Sequence, residues 1–146
     1  MDLDLIVLKE GDFIYPGIAN LNRINRSSKA TKQSVHLSTN CSNKGAYLVE
    51  IDSKEEDDWI VEQISMRNAG EDENQFLGAN SEAELGVWRW SSNNALISYS
   101  NFWPGQPNLY AAERCVILDW IAIHGTYKWA DTRCLMARKF ICEKDM

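Results

Sequence analysis

Four side chains with oxygen donors lie in one part of this chain, and their types suggest a cation site. Gln106 and Asn108 stand on either side of Pro107, and the carboxylates Glu113 and Asp131 follow. The prolines and the glycine around them prevent regular secondary structure. A loop held inside apolar and aromatic sequence is a common place for a ligand. Because carboxylate and amide oxygens are the ligands of Ca²⁺, the sequence predicts a calcium site in this loop.

The composition describes one acidic domain. The chain has 146 residues, of which 45% are hydrophobic, and its formal net charge is -6. This length suits a single domain with a sizeable core. An acidic chain with no basic run disfavours nucleic acid and anionic membranes as partners. No segment reaches the ~18 apolar residues of a membrane span.

The cysteines indicate the cellular compartment of the protein. There are four of them, Cys41, Cys115, Cys134 and Cys142. An even number in a small domain suggests two disulfides, for which three connectivities exist, and the lack of a C-x-x-C pair argues against zinc. Disulfides need an oxidising environment. The start of the chain does not resemble a signal peptide, because it is acidic and its apolar run is short. We therefore expect a secreted, extracellular protein whose signal peptide is not part of this chain.

The first third of the chain carries the weakest signals. Residues 3–8 and 13–15 have the composition of strands, and a Pro-Gly pair is expected to end the second one. The polar residues 20–34 are predicted to be an exposed loop or a frayed arm. Residues 34–43 are predicted to form a short helix, and residues 46–51 a strand.

The clearest helix begins at Ser53. Ser53 and Glu56 fit a capping box, and acidic residues fill the first turn, where they suit the helix dipole. We interpret this acidic cluster as a solvated helix start and not as a metal site. Gly70 is expected to end the helix. The buried side is predicted to consist of Trp59, Ile60, Gln63 and Ile64.

Short strands and long loops follow the helix. Alternation in residues 86–90 places Trp88 and Trp90 on one face of a strand. Further strands are predicted at 76–79, 114–118, 127–129 and 139–143. Helices followed by short strands are the pattern of an α+β domain.

Seven segments, in order along the chain, resemble the C-type lectin-like domain. The resemblance covers residues 41–143 and includes all four cysteines. The segments are 45–51, 76–79, 86–90, 101–108, 113–116, 129–134 and 140–143. We therefore expect a C-type lectin-like domain at 34–146, preceded by a divergent N-terminal segment at 1–33.

The resemblance implies a fold and a disulfide pattern. The family fold has two helices, two small antiparallel sheets and a long loop that holds the ligand site. Its bridges would be Cys41–Cys142 and Cys115–Cys134. Its aromatic core positions are filled here by Trp88, Trp90, Trp103 and Trp129.

The resemblance also implies a sugar site. Sugar-binding members of the family hold one Ca²⁺ in the long loop, and two neighbouring sugar hydroxyls complete its coordination. A cis peptide would fall before Pro107, where a cis bond costs only ~0.5–1 kcal/mol. Tyr110, in the same loop, would face the apolar side of the sugar. The residues that bind both metal and sugar would be Gln106, Asn108, Glu113 and Asp131.

Three features depart from the family pattern. Ala130 stands where the family has an asparagine ligand, so the Ca²⁺ site would be weaker. The Gln-Pro-Asn order matches neither the mannose-type nor the galactose-type loop, which leaves the sugar class open. The family's second calcium site falls at positions that hold no carboxylate, namely Ser81, Leu85, Leu109 and Arg114.

Two functions follow from the sequence. The leading hypothesis is a secreted carbohydrate-binding lectin that recognises sugar hydroxyls through Ca²⁺, with a role in innate immunity. The alternative is a C-type lectin-like module that binds a protein or another surface without Ca²⁺. An enzyme is not expected, because the sequence has no activated nucleophile and no cofactor fingerprint. Homo-oligomerisation stays open, since multivalency would help a lectin but no coiled-coil heptads are present.

Overall fold

A mixed β-sheet forms the framework of the protein. The computed structural model describes residues 3–10, 13–23, 41–43, 45–67, 74–136 and 138–145. The strands in these residues are β1 (Leu3–Glu10), β2 (Phe13–Arg23), β3 (Tyr47–Leu48), β4 (Gln75–Asn80), β5 (Arg89–Trp90), β6 (Cys115–Ile121), β7 (Thr126–Thr132) and β8 (Lys139–Asp145). The sheet has the order β2-β1-β8-β4-β6-β7, with β3 paired to β8 and β5 paired to β4.

Strand β8 joins the two halves of the sheet. It pairs in parallel with β1, where Leu5 is opposite Ile141, and in parallel with β4, where Phe76 is opposite Phe140. The predicted α+β class is confirmed. The two small sheets expected from the resemblance are connected, however, and the connection uses parallel pairs. Parallel neighbours need long connections. The connection from β4 to β8 contains β5, β6 and β7 with their loops, and the connection from β1 to β8 also contains the helix.

Strands β1 and β2 form an antiparallel hairpin at the start of the chain. Strand β2 continues past the Pro-Gly pair to Arg23. The strand end expected at this pair is therefore wrong, and so is the loop expected for residues 20–23. The register of the hairpin shifts between Val7 and Lys9. Such a bulge accommodates a proline, which cannot donate a hydrogen bond to the ladder.

The segment after β2 is described only in part. The predicted loop beyond Arg23 and most of the predicted helix 34–43 lie outside the described residues, whereas Cys41 and Ser42 are helical. The domain boundary at residue 33 stays a prediction. Strand β1 nevertheless belongs to the same sheet as the strands of the second half.

The helix α1 (Lys54–Arg67) begins as its sequence predicted. Glu56 N donates to Ser53 Oγ at 3.2 Å, and Asp52 N donates to the Glu56 carboxylate at 2.8 Å. Ile60 and Ile64 are buried, whereas Gly70 lies outside the described residues. Within the described part of the chain, no helix is long and apolar enough to cross a membrane.

Trp129 of β7 lies at the centre of the core, with no exposed surface. The rings of Trp90, Tyr99 and Phe102 contact it edge to face, with centroids 5.7–6.3 Å away. Aromatic pairs favour this geometry. The predicted core role is confirmed for all four tryptophans, Trp88, Trp90, Trp103 and Trp129.

Two disulfides tie the chain, in the pattern that the resemblance implied. Cys41 is bonded to Cys142, and Cys115 is bonded to Cys134. The first bond joins residues 101 positions apart and attaches the segment before β3 to β8. The second joins the start of β6 to the segment after β7, directly below the predicted site.

Candidate functional site

The long loop between β5 and β6 is fixed at its base by β7. Phe102 forms an isolated parallel bridge with Trp129. Trp103 N donates to Trp129 O at 2.9 Å, and Trp129 N donates to Asn101 O at 2.8 Å. Because Trp129 is the centre of the core, these main-chain bonds attach the loop to the most rigid part of the domain.

The tip of the loop turns at Gly105 and Pro107. Gly105 has a φ of 85°, a region that favours glycine. The cis peptide predicted between Gln106 and Pro107 is present. Gln106 N donates to Trp103 O at 2.8 Å and closes the turn. This backbone carries Gln106 and Asn108, the first two predicted site residues.

Asp131 of β7 binds the main chain of the loop. Its side chain is buried, with 6% of the residue exposed. Asn108 N donates to Asp131 Oδ1 at 3.2 Å, and Leu109 N donates to Asp131 Oδ2 at 3.0 Å. Both carboxylate oxygens are therefore held in place by the main chain of the loop, and charge-assisted bonds of this kind are strong.

The amide of Asn108 lies between two carboxylates. One terminal atom of this amide is 2.9 Å from Glu113 Oε2 and 3.2 Å from each carboxylate oxygen of Asp131. As nitrogen, this atom donates hydrogen bonds to both groups. As oxygen, it faces only acceptors, an arrangement that is stable only with a cation among them.

The spacing of these atoms suits a calcium ion. Oxygens bound to Ca²⁺ at 2.3–2.6 Å lie about 3 Å from one another, and the Asn108 amide lies at this distance from the oxygens of Glu113 and Asp131. Hydrogen bonds from the amide nitrogen have the same length. A second amide supports this interpretation. Gln106 Oε1 is buried and has no hydrogen-bond partner within the described part of the chain. A buried oxygen of this kind is costly unless it is paired, so Gln106 also fits a cation ligand.

The ionisation of Glu113 is affected by its burial and by the carboxylate of Asp131. Burial and the neighbouring charge of Asp131 raise the pKa of Glu113 above its ordinary value of 4.5, and Arg133 opposes this only in part. Two carboxylates close together destabilise each other's ionised form. A divalent cation would remove this repulsion.

Tyr110 is exposed and lies in the outer turn of the loop. It has 64% of its surface accessible, and its carbonyl oxygen accepts a hydrogen bond from Glu113 N at 2.8 Å. This bond closes the outer turn, residues 110–113. The structure thus places Tyr110 two residues from Asn108 with its ring open to a ligand.

Ala130 packs away from the site. The ladder between β6 and β7 pairs Ala130 with Ile117 and Asp131 with Val116, and neighbouring residues of a strand point to opposite faces. Ala130 is 5% exposed and belongs to an apolar cluster that contains Ile117 and Phe140. Its methyl group adds to the core and offers no oxygen to the site.

The four positions that the resemblance assigns to a second calcium site hold no carboxylate in this chain. Glu82 lies close to the sulfur atoms of Cys115 and Cys134. Those sulfurs form a disulfide, so they offer no thiolate to a metal. In the described residues this is the sole cluster of three acidic, cysteine or histidine ligands.

Sequence reasoning missed one residue that supports the site, Asp57 of α1. The acidic first turn was expected to be solvated, but Asp57 is 1% exposed. Its carboxylate accepts hydrogen bonds from Trp129 Nε1 at 2.9 Å, Asn101 Nδ2 at 2.7 Å and Tyr99 OH at 3.1 Å. Burial raises its pKa, and these three bonds oppose the rise. Asp57 therefore connects α1 to the base of the loop.

A signal for Asp57 does exist in the sequence. It stands three residues before Ile60 and seven before Ile64, so it shares the buried face of α1. The other acidic residues at the start of the helix are either buried or exposed. Glu56 is buried, whereas Glu55 and Asp58 are exposed.

Known proteins resemble this chain over most of its length. The sequence profile described as Lectin C-type domain matches residues 30–144. Perlucin-like protein from Mytilus galloprovincialis is 34% identical over 94 residues, which are 64% of this chain and 58% of that protein. C-type lectin lectoxin-Lio1 from Erythrolamprus poecilogyrus is 33% identical over 101 residues, which are 68% of this chain and 59% of that protein. The chain thus spans less than two thirds of the length of either relative.

A solved structure supports the same relation. The carbohydrate-recognition domain of human scavenger receptor C-type lectin is 26% identical, with a TM-score of 0.65, and the match covers 77% of this chain and 82% of that one. Such relatives are binding proteins, which agrees with the prediction that the chain is not an enzyme. The profile match and the shared fold together establish that this chain belongs to the C-type lectin domain family.

Proposed function

We propose that this chain is a secreted lectin that binds carbohydrate through one Ca²⁺ in the long loop. The observation that carries the proposal is the position of the Asn108 amide, 2.9 Å from Glu113 Oε2 and 3.2 Å from both oxygens of Asp131. The buried oxygen of Gln106, which has no partner among the described residues, supports it. The ligands of the ion would be Gln106, Asn108, Glu113 and Asp131.

The chemistry of these side chains suits a polyhydroxylated ligand. When bound, Ca²⁺ supplies coordination positions for two neighbouring hydroxyl groups. Carboxylates accept hydrogen bonds from such hydroxyls, and amide NH₂ groups donate to them. Asn108 is exposed and Glu113 is half-buried, so a sugar can reach both. The exposed ring of Tyr110 offers an apolar surface to the face of the sugar.

We assign this lectin to the outside of the cell. Its two disulfides suit an oxidising compartment. There it would bind sugars on foreign surfaces, as a component of innate immunity. The Gln-Pro-Asn order leaves mannose-type and galactose-type ligands equally open.

A glycan array with the refolded, disulfide-bonded protein tests this function. We expect binding to a subset of glycans in Ca²⁺, no binding in EDTA, and no binding by Glu113→Gln. Glu62→Gln is the matched control, because Glu62 lies on the exposed face of α1, and it should bind like the unaltered protein. Binding that persists in EDTA and in Glu113→Gln would contradict the proposal.

The second candidate function is a module that binds a protein or another surface without Ca²⁺. It is favoured by the packing of Ala130 in the core, which removes one oxygen that the family uses. A calorimetric Ca²⁺ titration separates the two candidates. A flat trace would support this second function.

A further inference from the structure

Arg114, the first residue before β6, joins two distant parts of the main chain. Its Nε donates to Ala111 O at 2.9 Å, and its Nη1 donates to Ser81 O at 2.9 Å. Ser81 N in turn donates to Arg114 O at 2.8 Å. Arg114 thus contacts Ser81 through both its main chain and its side chain.

The two carbonyl oxygens belong to very different environments. Ser81 follows β4 directly and is 1% exposed, so it is buried at the end of the sheet. Ala111 is exposed and lies in the outer turn of the long loop. The guanidinium group therefore spans from the edge of the core to the surface of the loop.

The outer turn needs such an attachment. Leu109, just before it, has a φ of 58°, a conformation that costs energy in a residue other than glycine. Within the turn itself, the bond from Glu113 N to Tyr110 O, at 2.8 Å, is a single contact between neighbours. The bond from Arg114 to Ala111 ties this turn to the rest of the domain.

Two carbonyl oxygens that converge on one positive charge resemble the surroundings of a bound cation. A guanidinium is a permanent cation whose N–H groups form a fixed planar fork, and it satisfies both oxygens at once. We propose that Arg114 is a built-in cation that fixes the outer turn, residues 110–113, to the end of β4. The turn then keeps its conformation without a second metal ion, and the chain binds one Ca²⁺.

This arrangement makes Arg114 a positioning residue for Glu113. Along the chain, Glu113 stands between Ala111, which accepts the hydrogen bond, and Arg114, which donates it. The part of the inference that concerns Ca²⁺ stoichiometry rests on the proposed function. The part that concerns the outer turn does not, because it can be measured without metal.

Hydrogen exchange in EDTA tests the bridge. In Arg114→Gln the amide of Glu113, which donates to Tyr110 O within the outer turn, should exchange about tenfold faster, because the turn loses the hydrogen bond that attaches it to the end of β4. Exchange in Arg114→Lys should be faster than in the unaltered protein and slower than in Arg114→Gln, because an ammonium group reaches one carbonyl oxygen at a time. The matched control is Arg89→Gln, which removes a bond from Arg89 Nη1 to Asn94 O at 3.0 Å and should leave residues 109–113 unchanged.

The outcomes are distinct. Faster exchange confined to residues 109–113 supports the bridge, and unchanged exchange in Arg114→Gln overturns it. If exchange in Arg114→Gln is faster throughout the domain, the substitution has weakened the whole fold. The exchange rates of Arg114→Lys are then compared with those of the unaltered protein by the same criterion.

Calorimetry then tests the stoichiometry. We expect one Ca²⁺ per chain, with an affinity about fivefold or more weaker in Arg114→Gln at unchanged stoichiometry, because Glu113 is less well positioned. Two ions per chain would overturn the built-in cation. If the unaltered protein binds no Ca²⁺, the proposed function fails, while the exchange data still decide whether the bridge exists.

Discussion

At the scale of residues, the site depends on an amide that can serve two states. The amide of Asn108 lies 2.9–3.2 Å from the carboxylate oxygens of Glu113 and Asp131. Its nitrogen donates hydrogen bonds to these carboxylates, whereas the proposed calcium site would use its oxygen. The residue types alone predicted the oxygen donors. The orientation of the amide depends on neighbours that are five and twenty-three positions away, so the sequence could not predict it.

The pKa of Glu113 predicts a pH-dependent affinity for Ca²⁺. Burial and Asp131 raise this pKa above 4.5, and a protonated carboxyl group is a poor ligand. Calcium affinity should therefore fall as the pH is lowered through the raised pKa, at a higher pH than for an unperturbed glutamate. The folding stability of the ion-free protein changes with pH in the opposite direction. Its folded state binds this proton more tightly than the unfolded chain does, so the stability contributed by Glu113 is lost as the pH rises through the raised pKa.

A series of Ca²⁺ titrations between neutral pH and pH 4.5 measures this dependence. Arg133→Gln is the informative companion variant, because Arg133 lowers the pKa of Glu113. Its affinity should begin to fall at a higher pH than that of the unaltered protein. An affinity that is constant over the whole series would contradict the assignment of Glu113 as a ligand.

At the scale of elements, α1 supports the loop that carries the site. The capping box at Ser53 predicted where the helix begins, because capping is a local interaction. The role of Asp57 was not predicted, because its partners Trp129, Asn101 and Tyr99 come from other segments of the chain. A local signal sets where the helix begins, whereas tertiary contacts decide which of its acids are buried.

Replacing Asp57 should destabilise the domain. Asp57→Ala leaves the buried indole N–H of Trp129 and the half-buried donors of Asn101 and Tyr99 without an acceptor, and we expect the free energy of unfolding to fall by about 3 kcal/mol. Asp58→Ala is the matched control, because Asp58 is exposed and pairs with Lys54 at the surface. Its effect should stay within about 0.5 kcal/mol. Chemical denaturation measures both values, and equal effects of the two variants would contradict the supporting role of Asp57.

At the scale of the whole molecule, β8 unites the sheet and the disulfides. It pairs with β1, β3 and β4, and Cys142 within it forms the long-range disulfide with Cys41. The sequence predicted the α+β class and, through the family resemblance, both disulfides. It did not predict that the sheets are joined in parallel through β8, because no local pattern specifies which distant strands pair.

The Ca²⁺ titration of the unaltered protein and of Glu113→Gln tests the central claim most directly. The substitution keeps the shape of the side chain and removes one of the two charges that balance the ion. We expect one ion per chain in the unaltered protein, and an affinity lower by about two orders of magnitude in Glu113→Gln, because ligand charge sets the affinity class of a calcium site. An unaltered protein that gives no heat with Ca²⁺, or a Glu113→Gln variant that binds Ca²⁺ equally well, would contradict a calcium-dependent sugar site in this loop.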